Sequence, residues 1–63
     1  MNNTVKVERA KLSITQEDLA KKIGVSRQTI NSIEKGKYVP STALALKMSD
    51  VFGITVNALF SLD

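Results

Sequence analysis

The sequence contains no cysteine and no histidine among its 63 residues. The first absence excludes a disulfide scaffold and a thiolate-ligated zinc site. The second removes the commonest metal ligand and the commonest general base. Aromatic residues make up only 5% of the chain, and proline occurs once. The longest apolar run is a few residues, too short for a membrane-spanning helix. The opening Met1-Asn2-Asn3-Thr4 lacks the apolar stretch of a secretion signal, so the chain is expected to stay in the cytoplasm. No two carboxylates are spaced to share a cleft, and no glycine-rich phosphate loop is present. The expectation is therefore no catalytic residue, no cofactor, no metal and no small-molecule site.

What is present describes one small folded unit over residues 1–63. The apolar fraction is 43% and the charged fraction 24%, a globular balance. A domain of this size buries only about 60% of the surface its unfolded chain exposes, so it depends on close packing or on partners. The net charge is +3, and its distribution is uneven. Residues 1–12 carry Lys6, Arg9 and Lys11 against Glu8, and residues 25–38 carry Arg27, Lys35 and Lys37 against Glu34. Residues 13–24 balance, while 39–63 are slightly acidic through Asp50 and Asp63 against Lys47. A modest basic balance of this kind suits a polyanionic partner.

The chain is punctuated at Ser13, Gly24, Gly36, Pro40 and Gly53, and the segments between have helical period. Leu19, Ala20 and Ile23 share a face in 16–23. Ile30 and Ile33 share one in 27–35, and Leu44, Met48, Val51 and Phe52 form a stripe in 42–52. Thr15, Ser26, Ser41 and Thr55 each offer a side-chain oxygen to cap a helix start. Ile14 with Leu19, Val25 with Ile30, and Ile54 with Leu59 have the spacing of hydrophobic staples, and Asp18 can complete a capping box with Thr15. Residues 4–12 are read as a further helix with Val5, Arg9 and Leu12 on one stripe. The β-branched Thr4, Val5 and Val7 leave a short strand there as the other reading. The fold class is all-α, a compact array of four or five short helices.

Residues 16–35 form two helices joined by Gly24-Val25-Ser26. Ala20 is small where the helices must cross, Gly24 tolerates positive φ, and Val25, Ile30 and Ile33 lock the second helix. The run from Thr15 through Leu19-Ala20, Ile23-Gly24-Val25-Ser26 and Ile30 to Ile33-Glu34-Lys35-Gly36 resembles the lambda-repressor-like helix-turn-helix family, of the Cro and xenobiotic-response-element type. The similarity continues through Tyr38-Val39-Pro40-Ser41 and Leu44-Ala45-Leu46 to Phe52-Gly53-Ile54 and Ala58-Leu59-Phe60. It implies a five-helix DNA-binding domain acting as a transcriptional regulator, a repressor by preference, in a prokaryotic or phage setting where it is cytoplasmic and nucleoid-associated. Glu8 and Thr42 depart from the aliphatic residues usual at their positions.

Projected at about 100° per residue, the helix over 27–35 turns Gln28 and Lys35 away from Ile30 and Ile33. Asn31 and Ser32 flank them, with Arg27 and Thr29 further round. This outward face carries no acid, as a surface meeting phosphates requires. Its amides and guanidinium match purine edges in a major groove, and the first turn of such a helix usually reaches the bases. Arg27, Gln28, Asn31 and Ser32 are the expected base readers. The resemblance implies that Thr15 and Gln16 hold a phosphate, where the amides of a helix N-terminus attract anions. Ser26, Thr29, Lys35, Lys37 and Tyr38 complete the expected backbone contacts.

Arg9 inside an apolar stripe needs a partner, and Glu34 beside the buried side of its helix is the expected one; family members resemble this arrangement. The residues after Gly53 hold more apolar side chains than a helix of about two turns can bury, and Leu46 faces away from its helix's stripe. Leu46, Val56, Leu59, Phe60 and Leu62 are therefore the expected homodimer interface. The resemblance implies two-fold operators bound through this end. The alternative function is an antitoxin or other protein-interaction module built on the same fold.

Overall fold

Local chemistry sets the helix boundaries. The computed structural model describes residues 1–62; Asp63, at the tail, lies outside them. The helices are α1 (Val5–Leu12), α2 (Gln16–Ile23), α3 (Arg27–Glu34), α4 (Thr42–Phe52) and α5 (Val56–Leu59). Four of them start at the expected caps. Thr15, Ser26, Ser41 and Thr55 each accept a hydrogen bond from the backbone N–H three residues on. Gly24 and Gly53 close α2 and α4 in the left-handed region, at φ of 78° and 68°, where any side chain would add strain. Ser13 adopts the same conformation at φ 57° without that freedom.

Thr15 and Asp18 form a full capping box. The Thr15 hydroxyl accepts from the Asp18 N–H at 3.0 Å, and the Thr15 N–H donates to the Asp18 carboxylate at 3.0 Å. These bonds hold the Asp18 carboxyl below its usual range, with Lys21 and Lys22 adding to the effect. A depressed carboxyl contributes stability above its unfolded pKa and loses it as pH falls through its folded pKa. An NMR titration should therefore show the Asp18 carboxyl protonating below the ordinary aspartate range, with the Thr15 amide resonance following the same midpoint. A midpoint at the unfolded-peptide value would mean the box is open in solution.

The core is built from Val5, Leu19, Ala20, Ile23, Ile30, Ile33, Leu44, Ala45, Met48, Leu59 and Phe60. Ile14, Val25 and Ile54, the outer members of the three staples, pack against it, as do Val51 and Phe52. Helices α2 and α3 pack most closely on each other, and α4 backs α2, α1 and α5.

Four expectations are corrected by the fold. Residues 5–12 are helical, so the strand alternative over Thr4, Val5 and Val7 is wrong. The strand, β1, lies one step earlier at Asn2–Asn3. It pairs antiparallel with β2 (Phe60–Ser61), Asn2 opposite Ser61 and Asn3 opposite Phe60. This pairing limits α5 to a single turn rather than two. Leu12 is exposed rather than part of the core stripe, because α1 ends at the left-handed Ser13 before another turn can cover it. Leu59, only 1% exposed, and Phe60, also buried, belong to the monomer core rather than to a surface. Leu59 closes α5 and Phe60 opens β2, and both side chains join the core. Of the five expected interface residues, Leu46 and Leu62 are exposed, and Val56 is half-buried.

The two strands fasten the chain ends to α3. Asn3 donates from Nδ2 to the Ile33 carbonyl at 2.9 Å and accepts from the Val5 N–H at 3.1 Å. The Thr4 N–H donates to the Leu59 carbonyl at 3.0 Å. One asparagine thus takes up the first N–H of α1 and donates to an end-of-helix carbonyl of α3.

Candidate nucleic-acid interface

Helix α3 places Ile30 and Ile33 in the core and turns its polar side outward. Arg27 and Gln28, in its first turn, are exposed, while Asn31 and Ser32 are half-buried one turn later. Lys35, Lys37 and Tyr38 follow the helix and are exposed. Backbone bonds from the Lys37 and Tyr38 N–H groups to the Ser32 carbonyl fold this segment back against α3. Among the described residues, no carboxylate lies within ion-pair distance of Arg27, Lys35 or Lys37. Their charge is free to meet an external anion.

The N-terminus of α2 stands next to this face. Arg9, Ser13, Ile14, Thr15, Gln16, Glu17 and Arg27 line one shallow depression. Arg27 therefore borders the expected phosphate site as well as the expected base-reading face. Thr15 is committed to its capping box. Ser26 caps α3 at 3.2 Å, and its hydroxyl lies 3.0 Å from that of Thr29, so these two share a hydrogen bond.

Behind the face lies a charged centre. Arg9 donates from Nε to Glu34 Oε2 at 2.7 Å and from Nη2 to Glu34 Oε1 at 3.2 Å. Its Nη1 donates to the Ile14 carbonyl at 3.0 Å, which ties down the turn between α1 and α2. The two side chains are 15% and 6% exposed. The bond to Glu34 raises the Arg9 pKa, so the guanidinium stays charged. Gln16 Nε2 donates to Glu34 Oε1 at 3.1 Å and makes a longer contact to Asn31 Oδ1 at 3.4 Å. One carboxylate thus joins α1, α2 and α3. Glu8, one of the two departures, is half-buried and pairs with the exposed Lys11, and Thr42, the other, is exposed at the start of α4.

A profile of the helix-turn-helix family matches residues 5–59. The chain belongs to this family. It is 57% identical over 60 residues to a helix-turn-helix-type transcriptional regulator of Methanocaldococcus jannaschii, covering 95% of this chain and 91% of that one. It is 46% identical over 63 residues to another from Bacillus subtilis, covering 100% and 96%. Among solved structures it is similar to the P22 c2 repressor protein crystallised with a synthetic operator. That match has a TM-score of 0.86 and 29% identity, over 94% of this chain and 89% of that one. The lambda-repressor-like resemblance and the five-helix fold are thereby shown. No helix among the described residues is long and apolar enough to cross a membrane.

Two features of this helix-turn-helix unit escape a reading by periodicity. Asn3 holds the end of α3 from 30 positions away; an asparagine just before a helical stripe was its signal, as a capping side chain. The bond from Gln16 to Glu34 joins two helices that a helical projection treats one at a time.

Proposed function

We propose that the chain is a sequence-specific double-stranded DNA-binding transcriptional regulator that acts as a repressor, with α3 in the major groove. The observation that carries this reading is the acid-free polar face of α3, exposed at Arg27 and Gln28, in a domain that resembles an operator-bound repressor. Gln28 and Arg27 meet base edges from the first helical turn, with Asn31 and Ser32 behind them. Thr15, Gln16, Ser26 and Thr29 lie toward the phosphates on one side, and Lys35, Lys37 and Tyr38 on the other. Arg27 also reaches toward the phosphate beside α2. The protein works in the cytoplasm, catalyses no reaction and binds a two-fold operator as a homodimer.

Selection of bound fragments from a random duplex library, followed by anisotropy titrations, tests the reading. Gln28→Ala should cost about 1–3 kcal/mol at the selected site and relax preference at one base position. Lys37→Ala should weaken all duplexes alike and flatten the salt dependence by about one unit of slope. An unchanged base preference in Gln28→Ala would remove α3 as the reading helix. Co-purification with a protein and no retention on any duplex would favour an interaction module instead.

A further inference from the structure

The contacts around Glu34 fix more than stability. A carboxylate paired with arginine offers only acceptors. The Gln16 carboxamide that meets it must therefore present Nε2, never its oxygen. That settles the amide's orientation by charge alone. The second Nε2 hydrogen then faces Asn31, which answers with Oδ1 at 3.4 Å. If Asn31 flipped, its own amino group would confront that of Gln16, two donors with no acceptor between them. Asn31 is half-buried on α3, and with its Oδ1 turned to Gln16 its Nδ2 is the end of the amide with no side-chain hydrogen bond among the described residues.

Resting on the major-groove reading above, we infer that Asn31 is a specificity-determining residue presenting only hydrogen-bond donors to the groove, its polarity set through Arg9, Glu34 and Gln16. Gln16 and Glu34 are positioning residues in this relay. A free asparagine can pair with adenine through both its oxygen and its nitrogen. Here the oxygen is turned to Gln16 Nε2, at 3.4 Å. Asn31 accordingly selects a base edge that accepts: purine N7, guanine O6 or thymine O4. It rejects the cytosine amino group, which donates.

The test is a four-base scan at every position of the selected site, with wild type, Gln16→Ala, Asn31→Ala and Asn31→Asp. Wild type should disfavour cytosine at one position by about tenfold, the discrimination of a well-placed amide contact. Asn31→Ala should remove that discrimination. Asn31→Asp keeps the shape but turns an acceptor outward, and should invert the preference toward cytosine while lowering affinity. Gln16→Ala frees the Asn31 amide to flip and should abolish discrimination at that position, with the preference read by Gln28 unchanged. A Gln16→Ala protein that binds every sequence more weakly yet keeps its discrimination at every position would overturn the relay. So would an Asn31→Asp protein with the wild-type base order, which tests the idea without altering Gln16. A wild type that prefers no base anywhere would instead refute the major-groove reading on which the relay rests.

Discussion

Replacing Glu34 with alanine is expected to cost up to about 3–5 kcal/mol of unfolding free energy, the loss seen when one partner of a fully buried ion pair is removed; this pair is largely covered, with side chains 15% and 6% exposed. A 63-residue domain holds roughly 3–9 kcal/mol in total, so this single change brings it to the edge of unfolding. The reason is what stays behind. Arg9 would keep its charge in a site that covers most of its side chain, with only the Ile14 carbonyl as partner. Arg9→Met should be comparably harmful, because it leaves the part-buried Glu34 carboxylate with the Gln16 amide alone. The double variant Arg9→Met with Glu34→Leu removes both charges and should recover much of the loss. Urea melts of the three proteins measure the coupling, and additivity within about half a kcal/mol would mean the pair does not interact. The Lys11–Glu8 pair, whose lysine is 66% exposed, provides the contrast: the same cycle there should give no more than about 0.5 kcal/mol and weaken in high salt.

The legible part of this molecule is the part written in short-range chemistry. A cap is a side chain meeting an N–H three residues away, and a staple joins residues five apart, so Thr15, Ser26, Ser41 and Thr55 mark their helices without reference to the rest of the chain. The ends of the chain are different. A two-residue strand has no period to detect, and Asn3 pairs with Phe60 across nearly the whole sequence. Without that pairing, Leu59, Phe60 and Leu62 look like equivalent members of one apolar surplus. With it, the first two turn into the core, and Leu62 is left outside. The polar face followed the same rule. The projection of α3 alone gives the outward positions of Gln28 and Lys35, but it says nothing about Gln16, which reaches Glu34 and Asn31 from another helix. Arg9 was legible for another reason: a charge inside an apolar stripe demands a partner wherever that partner lies in sequence.

That sorting of apolar residues reshapes how dimerisation is to be tested. Phe60→Asp would bury a charge in the core and unfold the monomer, so loss of association in that protein would carry no information. Leu46 and Leu62, 55% and 88% exposed, are the sites to change. Leu46 borders an apolar groove with Met1, Val39, Pro40, Val56 and Phe60. Leu62 stands beside a neighbouring groove that shares Met1, Val56 and Phe60. Leu46→Asp adds a charge where water already reaches, so melting should move little. Sedimentation equilibrium should find wild type dimeric and Leu46→Asp monomeric. On an inverted repeat whose half-sites lie about 34 Å apart, its affinity should fall by about 10²–10⁴-fold, the gain that makes the second half-site's binding intramolecular. On a single half-site the loss should be nil, because no DNA contact has changed. Leu59→Ala is the opposite control: it should lower stability by about 2–5 kcal/mol at every protein concentration, as a core truncation does. Equal losses for Leu46→Asp on one half-site and on two would show that the apolar end of the domain has no part in operator binding, and a wild type that stays monomeric on the inverted repeat would end the two-fold reading altogether.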